Sequence, residues 1–247
     1  MIKTKVSVVI PVYNDYIALR TAIPATIDAL EKITHSFELI IAEDASIDGS
    51  CELAAQLAET DIRIHHLHRE TRSGRGSALE EAARIATGSI FCYIDVDLAT
   101  DIQYLYRLIQ SVEDGYDAVI GSRLLPGSTI VRSTNREIQS RGYNLLVRSF
   151  LGSKVHDHQC GFKAFNRTKL VSALPYIEDT HWFWDTEVLV YFQRNGYQIL
   201  EIPVTWNEGE RTTVQTSDIF AMFTSILKLW RRNILVAGNS PQISLHE

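Results

Sequence analysis

Short apolar runs alternate with helical stretches through the first half of the chain. Val6–Val12 is a β-branched run ended by Asn14 and Asp15, and Phe37–Ala42 is a second, ended by Glu43 and Asp44. Ile62–Leu67, Ile90–Ile94 and Ala118–Ile120 follow. A strand with one wet face alternates apolar and polar residues. Uninterrupted apolar runs read instead as parallel strands covered on both faces. Between them, Ala18–Lys32, Cys51–Glu59, Ala78–Ala86 and Ile102–Val112 carry helical periodicity. Asp48-Gly49-Ser50 and Asp101 are start signals for the second and fourth. The alternation predicts an α/β fold with a doubly wound, mostly parallel sheet.

The second half is less regular. Glu137–Leu151 and Asp185–Arg194 read as helices, the latter ended by Asn195-Gly196, and Gly161–Phe165 reads as a strand. Gln198–Trp206 is a strand interrupted at Pro203, which predicts an edge position. Ser217–Arg232 is a C-terminal amphipathic helix.

Ligands of open parallel sheets bind beyond the carboxyl ends of the strands. Tyr13-Asn14-Asp15, Glu43-Asp44 and Asp95-Val96-Asp97 all fall there. Any one of them is also an ordinary polar turn. Asp95 and Asp97 are the sharpest pair, because they directly follow the apolar Phe91-Cys92-Tyr93-Ile94. Two carboxylates so close repel, and a divalent cation offsets the repulsion. All-oxygen ligation by carboxylates and phosphate suits Mg2+ or Mn2+.

Gly74-Arg75-Gly76 precedes a helix but is neither GxGxxG nor a Walker loop, which disfavours a dinucleotide-dependent dehydrogenase. It reads either as a flexible helix start or as a loop near bound phosphates. Arg123, Arg132, Arg136, Arg141 and Arg148 make the middle segment basic, either a solvated face or a set of forks for phosphate oxygens. His65, His66, His68, His156 and His158 show no partner for metal ligation and read as structural.

Composition narrows the classes. The chain has 247 residues, 45% of them hydrophobic, enough for one large α/β domain. A net charge of −6 argues against a general nucleic-acid binder. Cys51, Cys92 and Cys160 are dispersed, which predicts a reducing compartment with no disulfide framework and no zinc site. The N-terminal MIKTKVSVVIPVYN lacks the pattern of a secretory leader. No stretch reaches the roughly 18–20 apolar residues that span a bilayer. The expectation is a soluble or peripheral protein.

Several segments together resemble a family 2 glycosyltransferase of the GT-A fold. They are VSVVIPVYN (6–14), LIIAEDASIDGS (39–50), GRGSA (74–78), ATGSIFCYIDVDL (86–98) and Gly121-Ser122-Arg123. DHQCGFKAF (157–165) and EIPVTW (201–206) narrow the resemblance to the polyprenyl- or dolichyl-phosphate sugar synthases, over residues 5–232. The resemblance implies a Rossmann-like GT-A domain over 1–235, with a nucleotide-sugar half (1–125), an acceptor half (126–216), the helix (217–235) and a tail (236–247). By position, Pro11, Tyr13 and Asp44 would contact base and ribose, and Asp95 and Asp97 would hold Mg2+ or Mn2+ and the diphosphate. With Asn14, Glu43 and Arg75 these make the expected donor site. Arg123, Arg136 and Ser140 match positions facing the acceptor phosphate or the donor diphosphate. Asp97, Arg123 and Asp185 are the expected catalytic set, with Asp185 or Glu187 either near the acceptor as a base or capping a helix.

The sequence departs from the family in places. Glu43 stands where the family usually has Asp, and Ala99 where mannose synthases carry Gln. Glu210-Arg211-Thr212-Thr213 replaces Gly-Ser-Lys, with Arg211 as substitute for the phosphate-contacting lysine. DVDLAT and QCGFK favour UDP-glucose as donor, with GDP-mannose second. The implied acceptor is a dolichyl or polyprenyl phosphate. A saccharide hydroxyl acceptor and a non-catalytic nucleotide-sugar-binding module are the alternatives. The last helix presents Ile219, Phe220, Met222, Phe223, Ile226, Leu227, Leu229 and Trp230 beside Lys228, Arg231 and Arg232. It either packs on the sheet or a second subunit, leaving a homodimer open, or docks the protein peripherally at the cytoplasmic face of a membrane.

Overall fold

The structure is a computed structural model describing residues 1–208 and 216–238, with side chains over 1–208 and 221–232. Arg211 therefore lies outside the described residues, and so do the side chains of Ile219 and Phe220.

The first half is the expected alternation. Its elements are β1 (Val6–Val12), α1 (Tyr16–Ile33), β2 (Phe37–Asp44), α2 (Ser50–Thr60), β3 (Ile64–Arg69), α3 (Arg75–Ile85), β4 (Ile90–Ile94), α4 (Leu105–Glu113) and β5 (Ala118–Ser122). The second half adds β6 (Thr129–Val131), α5 (Thr134–Leu151), β7 (Phe162–Asn166), α6 (Arg167–Ala173), α7 (Trp184–Arg194), β8 (Ile199–Pro203), β9 (Thr205–Asn207) and α8 (Thr216–Gly238).

Seven strands form one sheet in the order β3-β2-β1-β4-β7-β5-β8. All neighbours are parallel except β7, which runs antiparallel to both β4 and β5. The predicted strand at Pro203 is divided: β8 takes the sheet edge, and β9 leaves to pair with β6.

Successive strand residues point to opposite faces, and both faces are covered. Val8, Ile10, Leu39 and Ile41 pack under α1, α2 and α4, while Val9, Ile40, Phe91 and Tyr93 pack under α3, α6 and α7. In α1 the buried Leu19, Ala22, Ile23, Thr26 and Leu30 form one stripe, and Asp15 caps the helix by accepting from Ala18 N. A third cluster joins Val147 and Leu151 of α5 to Val190 of α7 and to Ile226 and Leu229 of α8. Lys228 and Arg232, expected to face lipid, are drawn into ion pairs with Glu178, each at 2.8 Å. Among the described residues no helix is long and apolar enough to cross a membrane.

One buried acid secures the rim opposite the strand carboxyl ends. Glu38 is only 4% exposed. It accepts from Ser7 Oγ at 2.5 Å, Thr87 N at 2.6 Å and Thr87 Oγ1 at 2.7 Å, beside Lys5. Burial alone would raise its pKa, but these donors and the lysine outweigh it and hold the carboxyl at about 2. A depressed folded value means the stabilisation is complete above the unfolded pKa and is lost as pH falls through the folded one. Glu38→Gln is therefore expected to cost about 2 kcal/mol at neutral pH. Urea unfolding in acid should show the gap to wild type closing between 4.5 and about 2.

Candidate active site

The carboxyl ends of β1, β2, β4 and β5 open into a cleft of about 540 Å³. Pro11, Tyr13, Asp44, Arg75, Asp95, Asp97, Arg123, Arg136, Ser140 and Asp185 all line it. Two expected donor residues do not. Glu43 is the neighbour of Asp44 on a strand, so it turns to the other face of the sheet. There it is fully buried and accepts from Ser46 N and His68 Nδ1. Asn14 sits at φ 51 and ties the first turn to the second, its Oδ1 accepting from Ile47 N at 2.8 Å.

Asp44 fixes the loop before α3. Its two oxygens accept from Ser73 N at 2.9 Å and Gly74 N at 2.8 Å. That loop is wedged rather than flexible. Gly74 has φ +100, and a Cβ there would lie 2.4 Å from His181 Nδ1. Arg75 is thereby held in the cleft between two acids, donating to Asp95 Oδ1 at 2.8 Å and to Asp185 Oδ2 at 2.6 Å. Above Tyr13 the Arg72 guanidinium stacks 3.9 Å from the ring centroid, a flat cationic platform at the mouth.

Asp95 is half-exposed, with 43% of its side chain accessible. Asp97 accepts only from Ala99 N, at 3.0 Å, among the described residues. Burial and the Asp95 charge push its carboxyl up from the ordinary range. Among the described residues Asp95 pairs with Arg75 and Asp97 pairs with no cation, and two such carboxylates lining a cleft are a donor set that fits Mg2+ or Mn2+.

Asp185 is nearly inaccessible and its oxygens are taken. Oδ1 accepts from Lys163 Nζ at 2.7 Å and from the Tyr93 hydroxyl, and Oδ2 from Arg75. Burial would raise its pKa, but the Lys163 and Arg75 charges prevail and hold it down. It is thus a fixed anion that positions Arg75. Glu187 is likewise structural, accepting from the backbone N–H groups of Glu178 and Asp179.

Basic groups line the same cleft. Arg123 grips the buried Asp157 through Nε at 2.7 Å and Nη2 at 2.9 Å, a fork that fixes the guanidinium. Arg136 pairs with Glu208. Among the described residues, Ser140 Oγ and Arg132 Nε are buried without hydrogen-bond partners. Burial, and after it the Arg123 charge, pull Arg132 down from its ordinary value.

Sequence reasoning missed Lys163, the fully buried counter-ion of Asp185. A lysine inside the apolar Phe162–Phe165 was the available signal. Gly161 was also missed. Its carbonyl accepts from Asp95 N at 3.0 Å, and a Cβ there would lie 1.8 Å from Asp95 Oδ2. Gly161→Ala is therefore expected to displace that carboxylate and cut turnover about 100-fold. Initial rates and a melting curve on the same preparation check this, the melting point moving little.

Residues 7–172 match the profile of glycosyl transferase family 2. Glycosyltransferase AglD of Haloferax volcanii is 43% identical over 248 residues, covering 95% of this chain and 40% of that protein. Dolichyl-phosphate beta-glucosyltransferase of Saccharomyces cerevisiae is 28% identical over 222 residues, covering 82% of this chain and 66% of that one. The chain thus spans less than two thirds of either relative. Glucosyl-3-phosphoglycerate synthase from Mycobacterium tuberculosis, solved in complex with uridine diphosphate, shares the fold. Its TM-score is 0.65 at 21% identity, over 92% of this chain and 79% of that one. The family profile runs from β1 into α6, through every strand whose end carries an acid into the cleft, and the chain belongs to glycosyl transferase family 2.

Proposed function

We propose that the chain moves a hexosyl group from a nucleoside-diphosphate sugar to the phosphate of a polyprenyl or dolichyl lipid, with inversion at the anomeric carbon. The observation that carries this reading is the polarity of one cleft. Asp95 and Asp97 line it together with Arg123, Arg132 and Arg136, and among the described residues Arg132 Nε and Ser140 Oγ have no partner. Such an arrangement suits a donor diphosphate held through a cation and a second, separate anion.

Asp95 and Asp97 would hold Mg2+ or Mn2+, which supplies positive charge against the departing diphosphate. Tyr13, Arg72 and Pro11 offer a surface for the base. Arg75, anchored by Asp185, stands ready to meet the diphosphate oxygens. An acceptor phosphate oxygen bonds to the anomeric carbon as the bond to the diphosphate oxygen breaks, and the nucleoside diphosphate leaves with the electron pair. Arginines fixed in advance cost no reorganisation as that charge grows.

A phosphate acceptor is ionised near neutral pH and needs no general base, whereas a hydroxyl needs one. Among the described cleft carboxylates, Asp15 caps α1, Asp44 holds the 73–74 backbone, Asp95 pairs with Arg75 and Asp185 is saturated. With Asp97 assigned to the cation, none is left as a base, which favours the lipid phosphate. The donor proposed is UDP-glucose, with GDP-mannose second. Support comes from DVDLAT and QCGFK, from a relative named as a glucosyltransferase, and from a fold neighbour that binds uridine diphosphate. On this reading residues 1–235 form one catalytic domain working peripherally at the cytoplasmic face of a membrane.

The test is incubation with labelled UDP-glucose or GDP-mannose, Mn2+ and polyprenyl phosphate in detergent. A solvent-extractable, mild-acid-labile product supports the proposal. A water-soluble glycan from added saccharide would replace the lipid with a hydroxyl acceptor. Donor binding without turnover would remove the enzymatic reading.

A further inference from the structure

Glu43, turned away from the donor cleft, faces a second cluster on the opposite side of the sheet. Its strand neighbours are His68 and, two residues back, His66, because the parallel register sets Glu43 against His68 and Ile41 against His66. Residues two apart on a strand share a face, so both imidazoles and the carboxylate project to the side that α2 covers. Cys51, in the first turn of α2, closes the group. One ligand atom from each of the four lies within 4.8 Å of every other. Glu43 Oε2 is 2.6 Å from His68 Nδ1, Cys51 Sγ is 3.4 Å from His68 Nδ1, and His66 Nε2 is 3.9 Å from Glu43 Oε2.

We propose that Glu43, Cys51, His66 and His68 form a zinc site, separate from the Asp95–Asp97 pair. Four-coordinate zinc, with bonds of about 2.0–2.3 Å, has ligand-to-ligand edges of roughly 3.3–3.8 Å. The observed separations bracket that range, so the cluster fits after side-chain shifts on the order of 1 Å. A thiolate with two imidazoles and one carboxylate is a borderline-soft set that selects zinc over magnesium.

Three further features point to a cation. Among the described residues, His66 Nε2 is buried with no hydrogen-bond partner. Among the described residues, the ion-pair partners of the fully buried Glu43 are His66 and His68, with no lysine or arginine beside it. Its other oxygen, Oε1, accepts from Ser46 N, the kind of outer contact that orients a metal ligand. Zinc here would tie together the ends of β2, β3 and α2. It would thereby hold the turn after Asp44, where Ala45 adopts φ 61, next to the residue that fixes the 73–74 loop.

The chelator-treated full chain is titrated with Co2+ alone as a spectroscopic probe, then with Zn2+. The expected result is one equivalent of Co2+ giving a thiolate-to-metal charge-transfer band and intense four-coordinate ligand-field bands, bleached by Zn2+. Cys51→Ser should remove the charge-transfer band, and the His66→Ala/His68→Ala pair should weaken binding at least about tenfold. Asp95→Asn/Asp97→Asn should leave the spectrum unchanged. Because Cys92 and Cys160 are buried, alkylation of the wild-type chain gives a second readout that needs no variant, with Zn2+ protecting Cys51. No thiolate band, a band that survives Cys51→Ser, a spectrum lost with Asp95 and Asp97, or no protection of Cys51 would each overturn the site. None of these readouts depends on sugar transfer.

Discussion

Asp97→Asn is expected to lower turnover by about 10³-fold or more while leaving the chain at least as stable without added metal. The two effects have one cause. In the folded chain Asp97 is pressed by burial and by the Asp95 charge, which push its carboxyl up. A raised folded pKa means ionisation works against folding above it, so a neutral amide relieves the fold. On the proposed reading, the same crowding of negative charge holds a divalent cation. Its loss removes the main countercharge to a leaving diphosphate, a contribution on the order of 4 kcal/mol or more for a 10³-fold effect. Steady-state rates with saturating donor and acceptor, beside melting curves in chelator, separate the two. Near-wild-type turnover would end the assignment. A large fall in stability would mean that Asp97 serves the fold instead.

Lys163→Met should cost about 3–5 kcal/mol of stability, because it leaves Asp185 buried with one cation fewer. For a chain of this size that corresponds to a fall in melting temperature of about 10 °C. Activity should fall as well, since Arg75 is shared between Asp185 and Asp95 and would be drawn toward the carboxylate that lost its lysine. The double variant Lys163→Met/Asp185→Asn removes both charges and should recover part of the stability without recovering rate. Melting curves of the three variants decide it. A Lys163→Met change of less than about 1 kcal/mol would contradict the buried pair.

The N-terminal half of the fold was legible because most of its strands are short, largely apolar runs and the helices between them carry helical periodicity, β3 with its three histidines being the least apolar. The direction of β7 was not. A strand buried on both faces has the same apolar run whichever way it points, so nothing in Phe162–Asn166 announces an antiparallel neighbour. The seven-residue α6 and the three-residue β6 are too short to establish a period. At the site, Asp95 and Asp97 were readable from their place after a buried strand. Glu43 and Asp44 were read together, yet alternation along β2 assigns them to opposite faces, and strand parity applied to the last two residues would have separated them. The histidines of β3 were set aside because their partners, Glu43 and Cys51, come from other elements that only the folded sheet brings near.

The reversed strand also decides which end of the molecule is spare. Because β7 begins where its neighbours finish, the segment that feeds it, 157–161, reaches the cleft as well, and both kinds of strand direct their cleft-lining residues to one rim. The other rim keeps only short joints, among them Gly115 and Gly196, where an added Cβ meets nothing within 4 Å. Those joints are the natural ground for a graft, a permuted terminus or a reporter dye, and the place where relatives can lengthen without disturbing catalysis.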